Sequence, residues 1–527
     1  MSLFKRLPAI LFLLSISHLQ AADISGVVLD KQTSLPVAGA NVTLLKAGDS
    51  GTTDDRGRFS FSSDASSGGL SDSLVVTSRN YWEKTVPVTS SNASRVEIKL
   101  QAAKHRLVIT TDIGGGDPDD LQSMVHALLL SNEFDLEGII YGHAWVESNL
   151  PRGRQRIESA IDAYEAVYPN LKLHESEYPT PEYLRSIVRP GQTDPLMEGT
   201  GKGKDSEGSN LIIELADNKD DSRPLWLNAW GGANTIAQAY WKVNDTRSPE
   251  EIAAFVRKIR VYDILGQCDS GSWISKTFPD SVYIRNADGV YGWAPSKEWS
   301  AEHVQSHGPL GKIYPTAKWA TEGDSPAFMH LASRGLNDPN ELTQGGWGGR
   351  FGPGKKTGVK LFSWAEKNET VNAHDMKLRP YWIYTNTEEG TDAIRKWRED
   401  IYASQAARMD WSVTPEYSDA NHFPIAVLEG ETTRQILEMA VKPGQQLTLD
   451  ATGSSDPDGD DLRYSWHYYD EASSYHGNVA IEGAELSSAQ VSVPQDASGK
   501  SIHIILTLHD DGYPSLAAYR RMILNVD

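Results

Sequence analysis

Apolar and polar residues alternate along the chain from residue 22 onward. The stretches "ISGVVLD", "ANVTLLKA" and "RFSFSS" follow this period of two, and turn-forming residues separate them. Such alternation is typical of short strands with one buried face. Residues 22–101 are therefore predicted to form a small all-β domain.

From residue 104, continuous apolar runs replace the alternation. The runs "RLVITTD" and "DLEGIIYG" are typical of strands buried on both faces of a parallel sheet. Between them, apolar residues recur at helical spacing: Leu121, Met124, Val125, Leu128 and Leu129. The pairs "PLWLNAWGG" with "ANTIAQAYWKV" and "IRVYDILGQ" with "SGSWISKTF" repeat this strand–helix pattern. Residues 104–424 are therefore predicted to form an α/β domain with a mostly parallel sheet.

After Pro424, strand-and-turn sequence returns in "QQLTLDATGSSDPDGDDLRYSWHYYD" and "IHIILTLHDDGYPSLAAYRRMILNV". Residues 425–527 are expected to form a second all-β domain. Its aspartates Asp456, Asp458 and Asp460 could hold a cation or form a polar turn capped by its own side chains, and such turns are the commoner arrangement.

Charge and the N-terminus limit the partners and the location. The 527 residues carry a formal net charge of −21, which argues against nucleic acid and anionic membrane surfaces as partners. Lys5 and Arg6 precede the short apolar run "LPAILFLLSIS" and the small residues Ala21 and Ala22, a pattern typical of an export signal over 1–21. We expect a secreted or periplasmic protein.

The stretch "TDIGGGDPDD" concentrates candidate chemistry, with Asp112, Asp117, Asp119 and Asp120 within nine residues. A phosphate-binding loop would also place glycines between a strand and a helix. Aspartates at the helix start would repel a pyrophosphate, and no lysine follows as in a P-loop. We exclude a phosphate loop.

Helix capping and cation binding remain as explanations. Asp117 could cap the helix, Pro118 suits its first position, and Asp119 and Asp120 suit its first turn. Capping leaves Asp112 and the glycines unexplained, although they lie where α/β sheets bind ligands. Asp112 with Asp119 or Asp120 would offer the oxygen ligands that calcium prefers. We therefore favour a calcium site.

The central residues resemble the nucleoside hydrolases, whose first strand ends in D-x-D and precedes an acidic pair at a helix start. The resemblance implies a first set of calcium ligands: Asp112, Asp119 and Asp120. Two further ligands are implied by "WGGANTIA" and "EGDSPAF", namely the backbone carbonyl of Asn234 and the carboxylate of Asp324. Sugar contacts are implied by "GQCDSGSWI" for Asp269 and by "HAWVES", after the second strand, for His143 and Glu147.

A narrower resemblance adds "QCDSGSWI", "EGDSPAF" and "GGWGGR" in this order. These motifs are similar to secreted cellulose-binding proteins with a nucleoside-hydrolase-like domain and a C-terminal immunoglobulin-like domain. The flanking segments resemble a carboxypeptidase-regulatory-like β-sandwich over 22–101 and a polycystic-kidney-disease-type sandwich over 425–527. The resemblance implies a multidomain chain with two accessory sandwiches and, since relatives with this fold often pair, a homo-oligomer.

Three departures from the nucleoside-hydrolase pattern bear on activity. Thr110 replaces the first aspartate of D-x-D, the loop before the acidic pair is longer, and Gly323 replaces the general-acid histidine found in part of the family. The implied base, Asp112, remains. A leaving-group acid would have to come from elsewhere, and Glu322, Glu147 and His143 are the candidates.

The "QGGWGGRFG" segment suggests a sugar-binding rim. Glycines on both sides would let Trp347 lay its face against a sugar ring, with Arg350 beside it, whereas the alternative is a tryptophan that folds back over apolar surface.

We predict a calcium-dependent hydrolase of a glycosidic or N-glycosidic bond. The alternative is a non-catalytic carbohydrate- or cellulose-binding protein with a degenerate site, which the missing histidine and the two flanking sandwiches would suit. The expected ligand is a nucleoside or a carbohydrate such as a plant or algal polysaccharide. An adhesion scaffold ranks last because it does not explain the acidic residues.

Overall fold

The computed structural model describes residues 22–63, 70–144, 148–231, 233–266, 269–287, 289–318, 321–354 and 383–527. The chain forms two compact units, Met1–Gln101 and Ala102–Asp527, and each is described by itself. Within the described ranges, no helix combines the length and the apolar character needed to cross a membrane.

The first unit is a β-sandwich. Its strands are β1(Ala22–Asp30), β2(Asn41–Leu44), β3(Ser50–Thr52), β4(Arg58–Ser63), β5(Ser71–Thr77), β6(Lys84–Thr89) and β7(Val96–Leu100). They form two sheets, in the orders β4-β1-β7 and β3-β2-β5-β6. The alternating pattern buries one face of each sheet, with a core that includes Ile24, Val28, Val42, Leu74 and Ile98.

An eight-stranded sheet in the order β10-β9-β8-β11-β12-β13-β15-β14 forms the centre of the second unit. Its strands are β8(His105–Thr111), β9(Phe134–Tyr141), β10(Val188–Pro190), β11(Leu225–Trp230), β12(Ile259–Ile264), β13(Val282–Asn286), β14(Phe351–Pro353) and β15(Tyr384–Asn386). All pairings are parallel except that of β14 with β15. The strand order reverses between β8 and β11, so the crevice between their carboxyl ends is the switch point where such sheets bind ligands.

Helices connect and cover these strands. They are α1(Asp119–Leu129), α2(Leu150–His174), α3(Pro181–Ser186), α4(Glu207–Asp217), α5(Asn234–Thr246), α6(Pro249–Lys258), α7(Asp269–Thr277), α8(Lys297–Ser300), α9(Gly308–Ile313), α10(Ser325–Met329), α11(Asp392–Arg395) and α12(Arg398–Val413). Short 3-10 turns span Leu196–Gly199, Tyr417–Asp419 and Asp470–Ala472, and a π turn spans Ala301–Gln305. The apolar stripe predicted for the first helix packs in the core, where Met124, Val125, Leu128 and Leu129 are fully buried.

The C-terminal β domain is part of this same compact unit. Its strands are β16(Leu437–Val441), β17(Gln446–Asp450), β18(Arg463–Tyr468), β19(Ala480–Glu482), β20(Ser488–Ser492), β21(Ser501–His509) and β22(Ala517–Val526). They form sheets in the orders β16-β22-β21-β18 and β17-β20-β19. Ile505, Ala517 and Tyr519 join the core of the α/β domain, which explains why β21 and β22 are buried on both faces.

Candidate metal centre

Four predicted aspartates meet at the switch point of the sheet. Asp112 follows β8, and its backbone N–H donates to the carbonyl of Trp230 at the end of β11 (3.3 Å). Asp119 and Asp120 begin α1, and Asp324 immediately precedes α10. One carboxylate oxygen from each of Asp119, Asp120 and Asp324 lies within 4.8 Å of the others, and all three residues are buried.

Asp112 lies beside this cluster in a tightly packed position. A Cβ placed on Gly231, which has a φ of +101°, would lie 2.6 Å from Oδ1 of Asp112. The glycine after β11 is therefore required by both its backbone conformation and the close approach of the carboxylate. Replacing it with any other residue would displace Asp112.

The helix-capping explanation fails for the first turn of α1. Pro118 occupies the N-cap position, and no side-chain hydrogen bond caps the helix. Asp117 accepts only a long contact from the N–H of Asp119 (3.4 Å). Capping does not gather these carboxylates, although Asp119 and Asp120 lie near the positive end of the helix dipole.

Burial and mutual repulsion dominate the electrostatics of the cluster. Burial, and then the charge of Asp119, raises the pKa of Asp112 to about 7. The pKa values of Asp119, Asp120 and Asp324 are likewise raised, first by burial and then by neighbouring carboxylates. Among the described residues, no lysine, arginine or histidine forms an ion pair within 4.0 Å of these four carboxylates. The charge of Arg156 opposes the rise only for Asp120, so the set is compensated in small part. An oxygen-only group of this kind fits a hard divalent cation such as calcium.

These pKa shifts predict a pH-dependent cation affinity. Below about pH 7, a cation must displace a proton from Asp112, so apparent affinity should fall by up to about tenfold per pH unit for each proton displaced. Without a cation, folding favours the protonated carboxyl, so stability from this group should decline as pH rises from its ordinary pKa of 3.8 through about 7.

Calorimetric calcium titrations at pH 5.5, 6.5 and 7.5, in two buffers of different ionisation enthalpy, would count the protons released. Urea unfolding in the presence of a chelator at the same pH values would test the stability trend. Calcium binding without proton release at pH 5.5 would contradict the assigned pKa of Asp112.

A narrow cavity connects Asp112 with two other predicted residues. It is lined by Thr110, Thr111, Asp112, Ile140, Gly142, His143, Ala144, Trp230, Asn234 and Thr235. The Asn234 side chain is buried, donates to the carbonyl of Asp194 (3.1 Å) and accepts from the N–H of Thr235 (3.0 Å). His143 Nδ1 accepts from the N–H of Ser148 (2.6 Å), which leaves the proton of a neutral ring on Nε2.

Of the other predicted site residues, the structure describes the surroundings of Glu322 but not those of Glu147 or Asp269. Glu322 is fully buried and binds His126 Nδ1 (2.6 Å), the Tyr314 hydroxyl (2.7 Å) and Gln405 Nε2 (2.6 Å). It therefore holds the segment that carries Asp324 in place. Glu147 lies outside the described residues, and Asp269 begins α7 with a side chain outside the described part of the chain.

The predicted aromatic rim is wrong for Trp347. Its side chain is only 1% exposed, and its Nε1 donates to the Tyr519 hydroxyl of the C-terminal sandwich (3.3 Å). The ring covers apolar surface, as the alternative explanation had it, and has no face open to a sugar. Arg350 pairs with Glu389, and neither Arg350 nor Trp347 lines the cavity beside Asp112.

Tyr291 occupies the space beside Gly323 and was not predicted from the sequence. A Cβ placed on Gly323 would lie 2.6 Å from Asp119 Oδ2 and 2.8 Å from Cε1 of Tyr291. A histidine would therefore not fit there without moving both residues. Tyr291 is 38% exposed, yet the burial of its hydroxyl end, and then the charges of Asp119 and Asp324, raise the pKa of the tyrosine, so its hydroxyl keeps its proton.

Two arginines of α2 fix the long glycine loop. Arg152 Nε donates to the carbonyl of Gly114 (2.7 Å), and Arg156 Nη1 donates to the carbonyls of Ile113 and Gly115. A spacing of four residues places both arginines on one helix face. This spacing is the feature of the sequence from which their shared contact with the loop could have been predicted. The extended loop is therefore anchored rather than free.

The sequence matches three described families. Residues 106–351 match "cellulose-binding Sde182, nucleoside hydrolase-like domain", and residues 446–526 match "cellulose-binding protein Sde0182, C-terminal domain". Residues 23–101 match the carboxypeptidase regulatory-like domain. No curated protein matches the chain.

Solved structures show the same similarity. A nucleoside hydrolase-related protein from Saccharophagus degradans, described as associated with carbohydrate metabolism, is 46% identical, with a TM-score of 0.75. The match covers 80% of this chain and 100% of that chain. A PKD domain from the KIAA 1837 protein is 22% identical over 18% of this chain and 81% of its own, but its TM-score of 0.14 carries no argument. The predicted fold, a nucleoside-hydrolase-like α/β domain flanked by two β domains, is confirmed.

Proposed function

Because this chain belongs to the family of cellulose-binding proteins with a nucleoside hydrolase-like domain, as its motifs predicted, we propose that it is a calcium-dependent hydrolase of a glycosidic or N-glycosidic bond. One observation carries the proposal: Asp112, Asp119, Asp120 and Asp324 converge at the ligand-binding edge of the sheet, and no described lysine, arginine or histidine forms an ion pair with them. The family description supports a carbohydrate as the ligand.

Each residue has a role in this proposal. Asp119, Asp120 and Asp324 would hold the cation together with Asp112 and Asn234. Calcium would supply positive charge that makes a nearby water easier to deprotonate. Asp112 would take the proton of that water, because a bound cation keeps its carboxylate ionised and able to accept a proton. The attacked sugar carbon would carry positive charge in the transition state.

His143 is the described residue best placed to protonate the leaving group. It lines the same cavity as Asp112, and Nε2 could give a proton to the leaving group only after Nδ1 releases the N–H of Ser148 and takes up a proton to form the imidazolium. Glu322 is excluded by its buried hydrogen bonds to His126, Tyr314 and Gln405. Asp269 and Glu147 remain proposed sugar contacts on sequence grounds alone.

A binding function without catalysis is the second candidate. The position of the family's histidine is Gly323, and the packing of Asp119 and Tyr291 leaves no room for a side chain there. A site without this acid could bind a polysaccharide and not cleave it. In either case we place the protein outside the cytoplasm, secreted or periplasmic, on the basis of its N-terminal sequence.

Chelation separates the two candidates. Wild-type protein would be assayed on ribonucleosides, aryl glycosides and cello-oligosaccharides, and its retention on cellulose would be measured in parallel. We expect a hydrolysed substrate, loss of turnover in excess chelator, and recovery when calcium but not sodium is added back. Retention on cellulose without turnover on any substrate, with or without calcium, would favour the binding function instead.

A further inference from the structure

Asp324 enters the acidic cluster from a part of the chain that is distant in sequence from Asp119 and Asp120. It precedes α10, but its side chain does not cap that helix. One of its carboxylate oxygens lies within 4.8 Å of oxygens from the other two aspartates. Like charges at such a separation repel one another when no cation lies between them. The residues on either side of Asp324 therefore have to oppose this repulsion.

Glu322, two residues before Asp324, has a strained backbone. Its φ is +49°, in the left-handed region that residues other than glycine rarely adopt. A conformation of this kind persists only where surrounding contacts impose it. One such contact is made by the backbone, because the N–H of Glu322 donates to Gln122 Oε1 of α1 (3.0 Å).

The side chain of Glu322 supplies the other contacts. Its fully buried carboxylate accepts hydrogen bonds from four side chains, two on each oxygen. Oε2 accepts from His126 Nδ1 (2.6 Å) and from Ser325 Oγ (2.8 Å). Oε1 accepts from the Tyr314 hydroxyl (2.7 Å) and from Gln405 Nε2 (2.6 Å). A buried polar network with every acceptor satisfied is rigid and specifies one arrangement of the chain.

This network ties both sides of Asp324 to the helix that carries Asp119. The residues of α1 that take part lie three, four and seven positions after Asp119, on its side of the helix: Gln122, Ser123 and His126. Glu322 contacts the first and the last of them, and Ser325 Oγ lies 3.1 Å from Ser123 Oγ. Residues 322 and 325 thus bracket Asp324 and hold it against α1.

We propose that Glu322 and His126 are positioning residues of the cation site, which hold Asp324 in the cluster against the repulsion of Asp119 and Asp120. The inference rests on the cation site of the proposed function. Without the Glu322–His126 contact, the loop would move Asp324 away from the other two carboxylates. Part of the binding energy of a cation would then be used to return it, and the affinity would be lower.

Calorimetric titration of the full-length chain with calcium alone tests this role. We expect Glu322→Ala to lower calcium affinity by about 10- to 100-fold, the range for loss of a residue that orients a metal ligand. Ser325→Ala removes one hydrogen bond of the bracket and should lower the affinity by about 2- to 10-fold. Glu322→Gln keeps the shape of the side chain and part of its hydrogen bonds, so it should restore much of the affinity lost in Glu322→Ala. The rise in Tm that calcium produces should shrink in the same order.

Glu133→Gln is the matched control for a loss of stability without a loss of positioning. Like Glu322→Ala, it removes a buried carboxylate that several side chains contact, but it lies beyond the other end of α1 and leaves the bracket intact. Its calcium affinity should equal that of wild type. The proposal would be overturned if folded Glu322→Ala bound calcium as tightly as wild type, or if Glu133→Gln lost as much affinity as Glu322→Ala.

Two further outcomes have a defined meaning. If Glu322→Ala fails to fold, Ser325→Ala decides in its place, because it removes only a hydroxyl, and wild-type affinity in this variant would overturn the proposal. Absence of calcium binding in wild type would overturn the cation site itself. Equal, tight binding by wild type and the bracket variants would leave the cation site intact and remove only the positioning role.

Discussion

The Asp112→Asn variant should hydrolyse its substrate about 10²- to 10⁴-fold more slowly than wild type, the range expected when a general base is removed. The amide has nearly the same shape as the carboxylate, so it fits against Gly231 without a change in volume. It cannot take a proton from water, and it removes one negative charge from the cation site. Calcium affinity should fall together with turnover, and both can be measured by calorimetry and by assay of the substrate that the chelation screen identifies.

Asp117→Asn is the matched control for this variant. Asp117 lies in the same acidic stretch, and its charge adds to the raised pKa values of the cluster, but it contributes no oxygen to the buried carboxylate group. Its substitution should leave turnover within a few-fold of wild type. An Asp112→Asn variant that keeps wild-type turnover and calcium affinity would rule out the proposed base. Absence of calcium binding in wild type would remove the basis of the hydrolase.

The sequence was sufficient to predict most of the acidic cluster because the relevant positions are defined by local rules. Asp112 ends a continuous apolar strand, Asp119 and Asp120 begin an amphipathic helix, and carboxyl ends of parallel strands share one edge of the sheet. Asp324 could be assigned only through the family resemblance. Nothing in its spacing indicates that the chain returns to α1 some 200 residues later, although the contact of Ser325 with Ser123 shows that it does.

The wrong prediction for Trp347 and the missed residue Tyr291 have a common physical origin in long-range packing. Trp347 lies between glycine pairs, which locally favour an exposed and mobile aromatic residue, yet Tyr519 of the C-terminal sandwich covers it. Tyr291 could not be identified because nothing in its own segment refers to Gly323 or Asp119. Local sequence reports the backbone preferences of a loop, whereas the exposure of its side chains depends on which distant element packs on it.

A buried ion cluster links the sandwich to the α/β domain, and Glu133→Gln should destabilise the protein by about 3–5 kcal/mol. Glu133 follows α1 and binds three arginines: Arg334, Arg408 (2.8 Å) and Arg434 (2.6 Å). Glutamine would leave two nearly buried guanidinium groups without their counter-charge. The pKa of Glu133 is lowered because the three arginines outweigh the opposing effect of burial.

Urea unfolding of Glu133→Gln, compared with wild type and with Glu158→Gln, would measure this cost. Glu158 pairs with Arg154 on the exposed face of α2, so its substitution should change stability by about 0.5 kcal/mol or less. The depressed pKa gives the sign of the pH dependence: the contribution of Glu133 is present above its ordinary pKa of 4.5 and is lost as pH falls toward its folded value. The difference between wild type and Glu133→Gln should therefore shrink below pH 4.5.

Equal stability of the two proteins at pH 7 would show that the arginines are held by their other contacts, such as those of Arg408 to Asn132 and Tyr178. Since Glu133 lies at the opposite end of α1 from Asp119 and Asp120, Glu133→Gln should lower stability and leave the calcium affinity of the folded protein unchanged.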